Sequence, residues 1–80
     1  MKLPRDLSGA DLVKALGRAG YVVTRQTGSH LRLTVRTAEG EHHLTIPNHN
    51  PVKVGTLNAI LRDTAAHLGL SREELIEKIL

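Results

Sequence analysis

The stretch Ser29-His30-Leu31-Arg32-Leu33-Thr34-Val35-Arg36-Thr37 alternates without a break. Leu31, Leu33 and Val35 fall on one face, and His30, Arg32, Thr34 and Arg36 fall on the other. A period of two is that of a β-strand with one buried and one wet face. Upstream, the β-branched run Tyr21-Val22-Val23-Thr24-Arg25 predicts a first strand, joined to the second by a turn at Thr27-Gly28. Downstream, Ala38-Glu39-Gly40 turns the chain into a third strand from Glu41 to Ile46, with Leu44 and Ile46 inward and His43 and Thr45 outward. Two hairpins with short turns make a three-stranded antiparallel sheet that shows one face to solvent.

Helical patterns flank this sheet. Ser8 with Asp11 reads as a capping box, and Leu7 with Leu12 as a hydrophobic staple. Leu12, Ala15, Leu16 and Ala19 repeat at helical spacing, and Gly20 supplies the stop. Pro47-Asn48-His49-Asn50-Pro51 cannot extend a sheet and predicts a loop. A second helix is expected from about Val54 to Leu68, with Leu57, Ile60, Leu61, Thr64 and Ala65 as its buried stripe and Gly69 as its stop. Ser71 with Glu74 opens a third, carrying Leu75, Ile76, Ile79 and Leu80. The expected fold class is α+β, in the order α-β-β-β-α-α, with helices on the apolar side of the sheet.

The chain has 80 residues, which predicts one domain over residues 1–80. A domain this short buries only roughly 60–65% of the surface of its unfolded chain, so chemistry on an exposed surface suits it better than a deep cavity. It contains no cysteine, which excludes disulfides and thiolate metal sites. No apolar run reaches the roughly 20 residues of a membrane span. Met1-Lys2-Leu3-Pro4-Arg5-Asp6 lacks the apolar stretch of a signal peptide. A soluble, cytoplasmic protein without membrane partners is the expectation.

The net charge is +3, unevenly spread: residues 1–62 hold 9 basic and 4 acidic side chains, and residues 63–80 hold 2 and 4. The positive charge belongs to the part before the last helices, which suits a polyanionic partner. With one Tyr and neither Phe nor Trp, the chain lacks aromatic platforms for stacking single-stranded bases. Recognition of backbone or shape fits better.

His30 is the first candidate for chemistry. It follows Gly28-Ser29 at a strand start and points the same way as Arg32 and Arg36. A histidine can give or take a proton near neutral pH, and arginines beside it can hold a phosphodiester. RNA carries its own nucleophile in the 2′-hydroxyl, so a base and cations suffice without metal. Spacing alone favours the plainer reading, a solvated histidine among solvated arginines. His42 and His43 are adjacent in a strand, point to opposite faces and cannot share a metal. His43 is on the open face and can assist as a second acid or base. His49 sits in the loop, and His67 is expected at a helix surface. No pair of histidines has zinc spacing, so no metal or cofactor is expected. A Ser–His–Asp hydrolase is excluded because Ser29 and His30, as strand neighbours, point apart. Residues 65–75 resemble a helix-turn-helix, a DNA-binding alternative, but its reading helix carries Glu73, Glu74 and Glu77 against Arg72 and Lys78.

Three motifs taken together carry a resemblance. They are Gly28-Ser29-His30 at the opening of the second strand, Ile46-Pro47-Asn48-His49 after the third, and Gly55-Thr56-Leu57 with Ile60-Leu61-Arg62 in the second helix. With the Gly20-Tyr21 exit of the first helix, they resemble the HicA toxins, bacterial and archaeal mRNA interferases of toxin–antitoxin pairs. The resemblance covers about residues 6 to 75. It implies a fold like a double-stranded-RNA-binding domain, metal-independent cleavage of mRNA, a catalytic role for His30, and a HicB-type antitoxin that covers the active face. The expected RNA-binding set is Gly28, Ser29, Arg32, Arg36, His43 and Lys53. The second helix is about a turn longer than the short family pattern, and the tail beyond Ser71 is a fuller helix than many members carry. A non-catalytic RNA-binding module is the alternative.

Overall fold

The computed structural model describes residues 7–80. The expectation of no leader segment at residues 1–6, and the Asp6 end of the resemblance, lie outside the described residues. The order of elements is α1 (Gly9–Gly17), β1 (Val22–Thr27), β2 (His30–Thr37), β3 (Gly40–Pro47), α2 (Val54–Leu68) and α3 (Arg72–Ile79). The three strands form one antiparallel sheet in the order β1-β2-β3. This is the α+β fold that the alternation in β2 predicts.

Local chemistry sets the helix ends. Ser8 accepts from the Asp11 backbone N–H at 3.0 Å while the Asp11 carboxylate accepts from Ser8 N–H, so the capping box is complete. Ser71 and Glu74 repeat it at the start of α3. Each such cap contributes about 1 kcal/mol. Gly69 closes α2 in the left-handed region, with φ of 68°. Helix α1 ends earlier than its periodicity suggests, with Arg18 as its C-cap. The turn then tightens until Gly20, at φ of 97°, swings Tyr21 into the core.

The side chains Leu12, Leu16, Leu33, Ile46, Leu61, Leu75, Ile76 and Ile79 form the fully buried centre. Burying a leucine or isoleucine stabilises the fold by about 1.5–3 kcal/mol. Helix α1 packs on β1 and β3, α2 on β3, and α3 on both other helices. The Arg18 guanidinium donates to Ile79 O at 2.7 Å, which ties α1 to the end of α3. The predicted stripe of α2 is buried as expected. Leu80 is not: it lies beyond α3 and is 39% exposed.

Strand β1 runs to Thr27, two residues past the predicted end, and the turn is Gly28-Ser29 rather than Thr27-Gly28. A two-residue hairpin with glycine first and only that residue at positive φ is the II′ arrangement, and Gly28 has φ of 57°. Thr27 is thereby free to pair with His30.

Candidate functional site

The open face of the sheet is built from alternate residues of three strands. From β2 come His30, Arg32, Thr34 and Arg36, and from β3 Glu41, His43 and Thr45. Strand β1 contributes through an irregularity. Val22 pairs with Thr34 and Val23 with Leu33, but the next pair is Arg25 with Arg32, leaving Thr24 as an extra residue. Without this bulge Arg25 would alternate onto the apolar side. With it, Thr24 and Arg25 both face solvent beside Arg32, which is how bulges re-aim side chains.

A shallow concavity of 200 Å³ at one end of this face is bounded by Arg25, Thr27, His30, Arg32 and Thr45. It brings together His30 and Arg32, as expected, and adds Arg25, which the alternation of β2 alone does not reveal. Counting back from a Gly28-Ser29 turn pairs Arg25 with Arg32, so a signal for it existed in the turn chemistry. Like charges directly opposed across strands are unfavourable. Among the described residues the ion pairs are Arg36–Glu41 and Arg62–Asp63, so neither Arg25 nor Arg32 has a carboxylate partner there. A cation pair left uncompensated beside a histidine suits an anion.

The corner that carries His30 is braced from behind. The Asn48 N–H donates to Ser29 O at 2.6 Å, and the Gly9 N–H donates to His49 O at 2.8 Å. The start of α1 approaches this loop so closely that a Cβ on Gly9 would lie 2.8 Å from Asn48 Cα and would also meet Pro47 O. Glycine at that position therefore lets α1 seat the Pro47-Asn48 loop against Ser29. Gly28 and Ser29 form the turn itself, next to His30.

The other expected contact residues lie elsewhere. Arg36 is six residues beyond His30 on the same strand, about 20 Å away at roughly 3.3 Å per residue. Its Nε donates to Glu41 Oε2 at 2.8 Å, and that guanidinium holds the Glu41 carboxyl below the usual carboxylate range. His43 pairs with Thr34, about 13 Å along the strand from His30. Its Nδ1 lies 2.9 Å from Thr34 Oγ1, which lies 2.9 Å from Thr24 Oγ1. Lys53 is exposed at the N-cap of α2, with no side-chain capping bond. His49 is exposed in the loop.

His42 faces the other side, as alternation requires. Its Nδ1 is 2.7 Å from the hydroxyl of buried Tyr21, and its ring stacks on His67 at 4.3 Å and 13°. His67, expected at the surface, is instead half-buried, because α2 lays it against β3. Burial, and then the neighbouring His67 ring, push the His42 pKa down. Burial likewise raises that of Tyr21. Among the described residues no three His, Cys, Asp or Glu side chains converge as metal ligands would. Nor is any helix there long and apolar enough to cross a membrane. Helix α3 buries Leu75, Ile76 and Ile79 and leaves its three glutamates exposed, which does not suit a helix that reads DNA.

A family model described as HicA toxin of bacterial toxin-antitoxin matches residues 9–65. No curated protein and no solved structure matches the chain. The matched stretch takes in α1, the whole sheet, the Gly28-Ser29-His30 corner with its brace, and the buried stripe of α2. A match over so much of an 80-residue chain shows that it belongs to the HicA toxin family of bacterial toxin–antitoxin systems, a membership that implies an antitoxin partner.

Proposed function

We propose that this chain is a single HicA-like domain over residues 1–80 that cleaves mRNA in the cytoplasm, with His30 as its proton-transfer group. The observation that supports this reading best is the concavity in which His30 stands beside Arg25 and Arg32, two cations with no carboxylate partner among the described residues. In the proposed step the two guanidinium groups hold the phosphodiester and stabilise the charge that grows on its oxygens. His30 takes the proton of the 2′-hydroxyl, and that oxygen attacks the adjacent phosphorus. The bond from phosphorus to the 5′-oxygen breaks, leaving a cyclic phosphate on one fragment. The departing oxygen takes its proton from water. His43, about 13 Å away, is too far to serve the same phosphodiester. No step requires a metal ion, because the nucleophile belongs to the substrate. A HicB-type antitoxin that covers the open face would block all of these groups at once.

The test uses purified protein and its His30→Ala variant, each incubated with a long single-stranded transcript in excess chelator. Wild type should cut, and the variant should cut about 10²–10⁴-fold more slowly. The second reading, an RNA-binding module without catalysis, is favoured by one observation: among the described residues no side chain hydrogen-bonds and orients His30. RNA that is shifted on a native gel yet left intact by wild type would select that reading.

A further inference from the structure

We propose that the groove beyond the His30 corner is a nucleobase-recognition subsite, in which a base of the bound RNA lies on the Arg36 guanidinium and is read at its edge by His43. The proposal rests on the RNA reading above. It concerns a different part of the face, and what it adds is selectivity.

The groove has a volume of 660 Å³ and is framed by Val22, Thr24, Arg32, Thr34, Arg36 and His43. It is larger than the hollow at His30, and Arg25 and Arg32 border both. An RNA strand whose phosphate sits on those two arginines therefore has a neighbouring base within reach of the groove. Small-molecule sites combine an apolar wall with a few polar groups held in place. Val22, 60% exposed, supplies apolar surface.

Thr34 supplies the fixed polar part. It lies on the open face and yet is only 7% exposed. Its hydroxyl joins Thr24 Oγ1 and His43 Nδ1, both at 2.9 Å. A hydroxyl has one proton and two lone pairs, so this chain holds the His43 ring and leaves Nε2 as the ring nitrogen without a partner among the described residues. Thr24 Oγ1 also reaches Arg32 O at 3.4 Å. A carbonyl only accepts, so a proton given there makes Thr34 donate to Thr24 and accept from His43 Nδ1. In the neutral form of the ring Nε2 is then an acceptor for a base N–H.

Arg36 supplies the shelf. Glu41 holds its Nε at 2.8 Å and offsets its charge, while the side chain remains 85% exposed. A guanidinium already paired with a carboxylate is a weaker phosphate ligand than a free one, while its flat face stays open for stacking on a base. The sole aromatic residue other than histidine, Tyr21, is buried. No phenylalanine, tyrosine or tryptophan ring competes for the role.

The experiment measures binding where cleavage cannot intervene. The His30→Ala protein is titrated into four short fluorescent homopolymers, oligo-A, -C, -G and -U, and anisotropy is read at several salt concentrations. It should favour at least one base by about tenfold. Adding Thr34→Val or His43→Ala should bring the four affinities within about twofold of one another with the salt slope unchanged, since the phosphate contacts remain. Thr34→Ser, which keeps the hydroxyl, should retain the preference, and Arg36→Lys, which keeps charge without a plane, should weaken it. Equal affinity for all four homopolymers, a preference that survives both substitutions, or no binding at all would overturn the subsite. The two readings separate cleanly. A protein that discriminates bases but leaves RNA intact keeps the subsite and loses the ribonuclease. One that cuts without base preference does the reverse.

Discussion

His42 and His43 are consecutive residues with the same side chain and opposite surroundings. His42 faces the helices, where it meets the Tyr21 hydroxyl and stacks on His67. His43 faces solvent, where a chain of hydroxyls holds its ring over a groove. One rung of the pleat separates a structural histidine from a candidate recognition histidine. The difference generalises to the whole sheet: the helix-covered face carries stability, and the open face carries cations, histidines and hydroxyls.

The largest expected effects compare the two faces at β2. His30→Ala should remove about 10²–10⁴-fold of cleavage, while its unfolding free energy from a urea titration stays within about 0.5 kcal/mol of wild type. Leu33→Ala, three residues on and facing the helices, should cost about 2–5 kcal/mol in the same urea titration. If His30→Ala unfolded the domain as Leu33→Ala does, the division of labour between the faces would be lost, and with it the catalytic reading of His30.

The next effect tests how the helix side positions the open side. Gly9→Ala puts a Cβ against Pro47 O and Asn48 Cα, so it should destabilise by about 1–3 kcal/mol. It should also slow cleavage, because the loop it displaces holds Ser29. A variant as stable and as active as wild type would show that the brace does not position His30.

The smallest effect sharpens the histidine pair itself. The folded-state pKa of His42 lies below the ordinary 6.5, owing first to burial and then to the His67 ring, with Asp63 opposing and His43 adding a little. The unfolded chain therefore takes up this proton first on acidification. The stability involved is present above about pH 6.5 and is lost as pH falls through the folded value. Melting temperatures measured between about pH 8 and pH 5 should fall less steeply for His42→Phe than for wild type. Equal slopes in the two proteins would break the contrast.

Much of this was legible in local patterns. The alternation of β2 assigned its faces correctly, both capping boxes formed where Ser8 and Ser71 announced them, and the resemblance to the HicA toxins agrees with the family match. Arg25 was not legible from alternation, because a bulge changes the phase of a strand at a point that composition does not mark. Arg36 was legible as an open-face cation but not as one occupied by Glu41, a partner brought to it across the hairpin. The stacking of His67 depends on how α2 lies on β3, and no local pattern carries that angle.

By itself, then, the amino-acid sequence determined the elements, their faces and the polarity of the open side, because period, caps and turn residues act over a few neighbours. Tertiary structure alone decided which groups on that side meet. The Thr24 bulge turned Arg25 toward His30, the hairpin closed Glu41 on Arg36, and the α1 start pressed the Pro47-Asn48 loop beneath Ser29. These are contacts between residues distant in sequence or displaced in register, and they exist only once the strands have paired and the helices have packed.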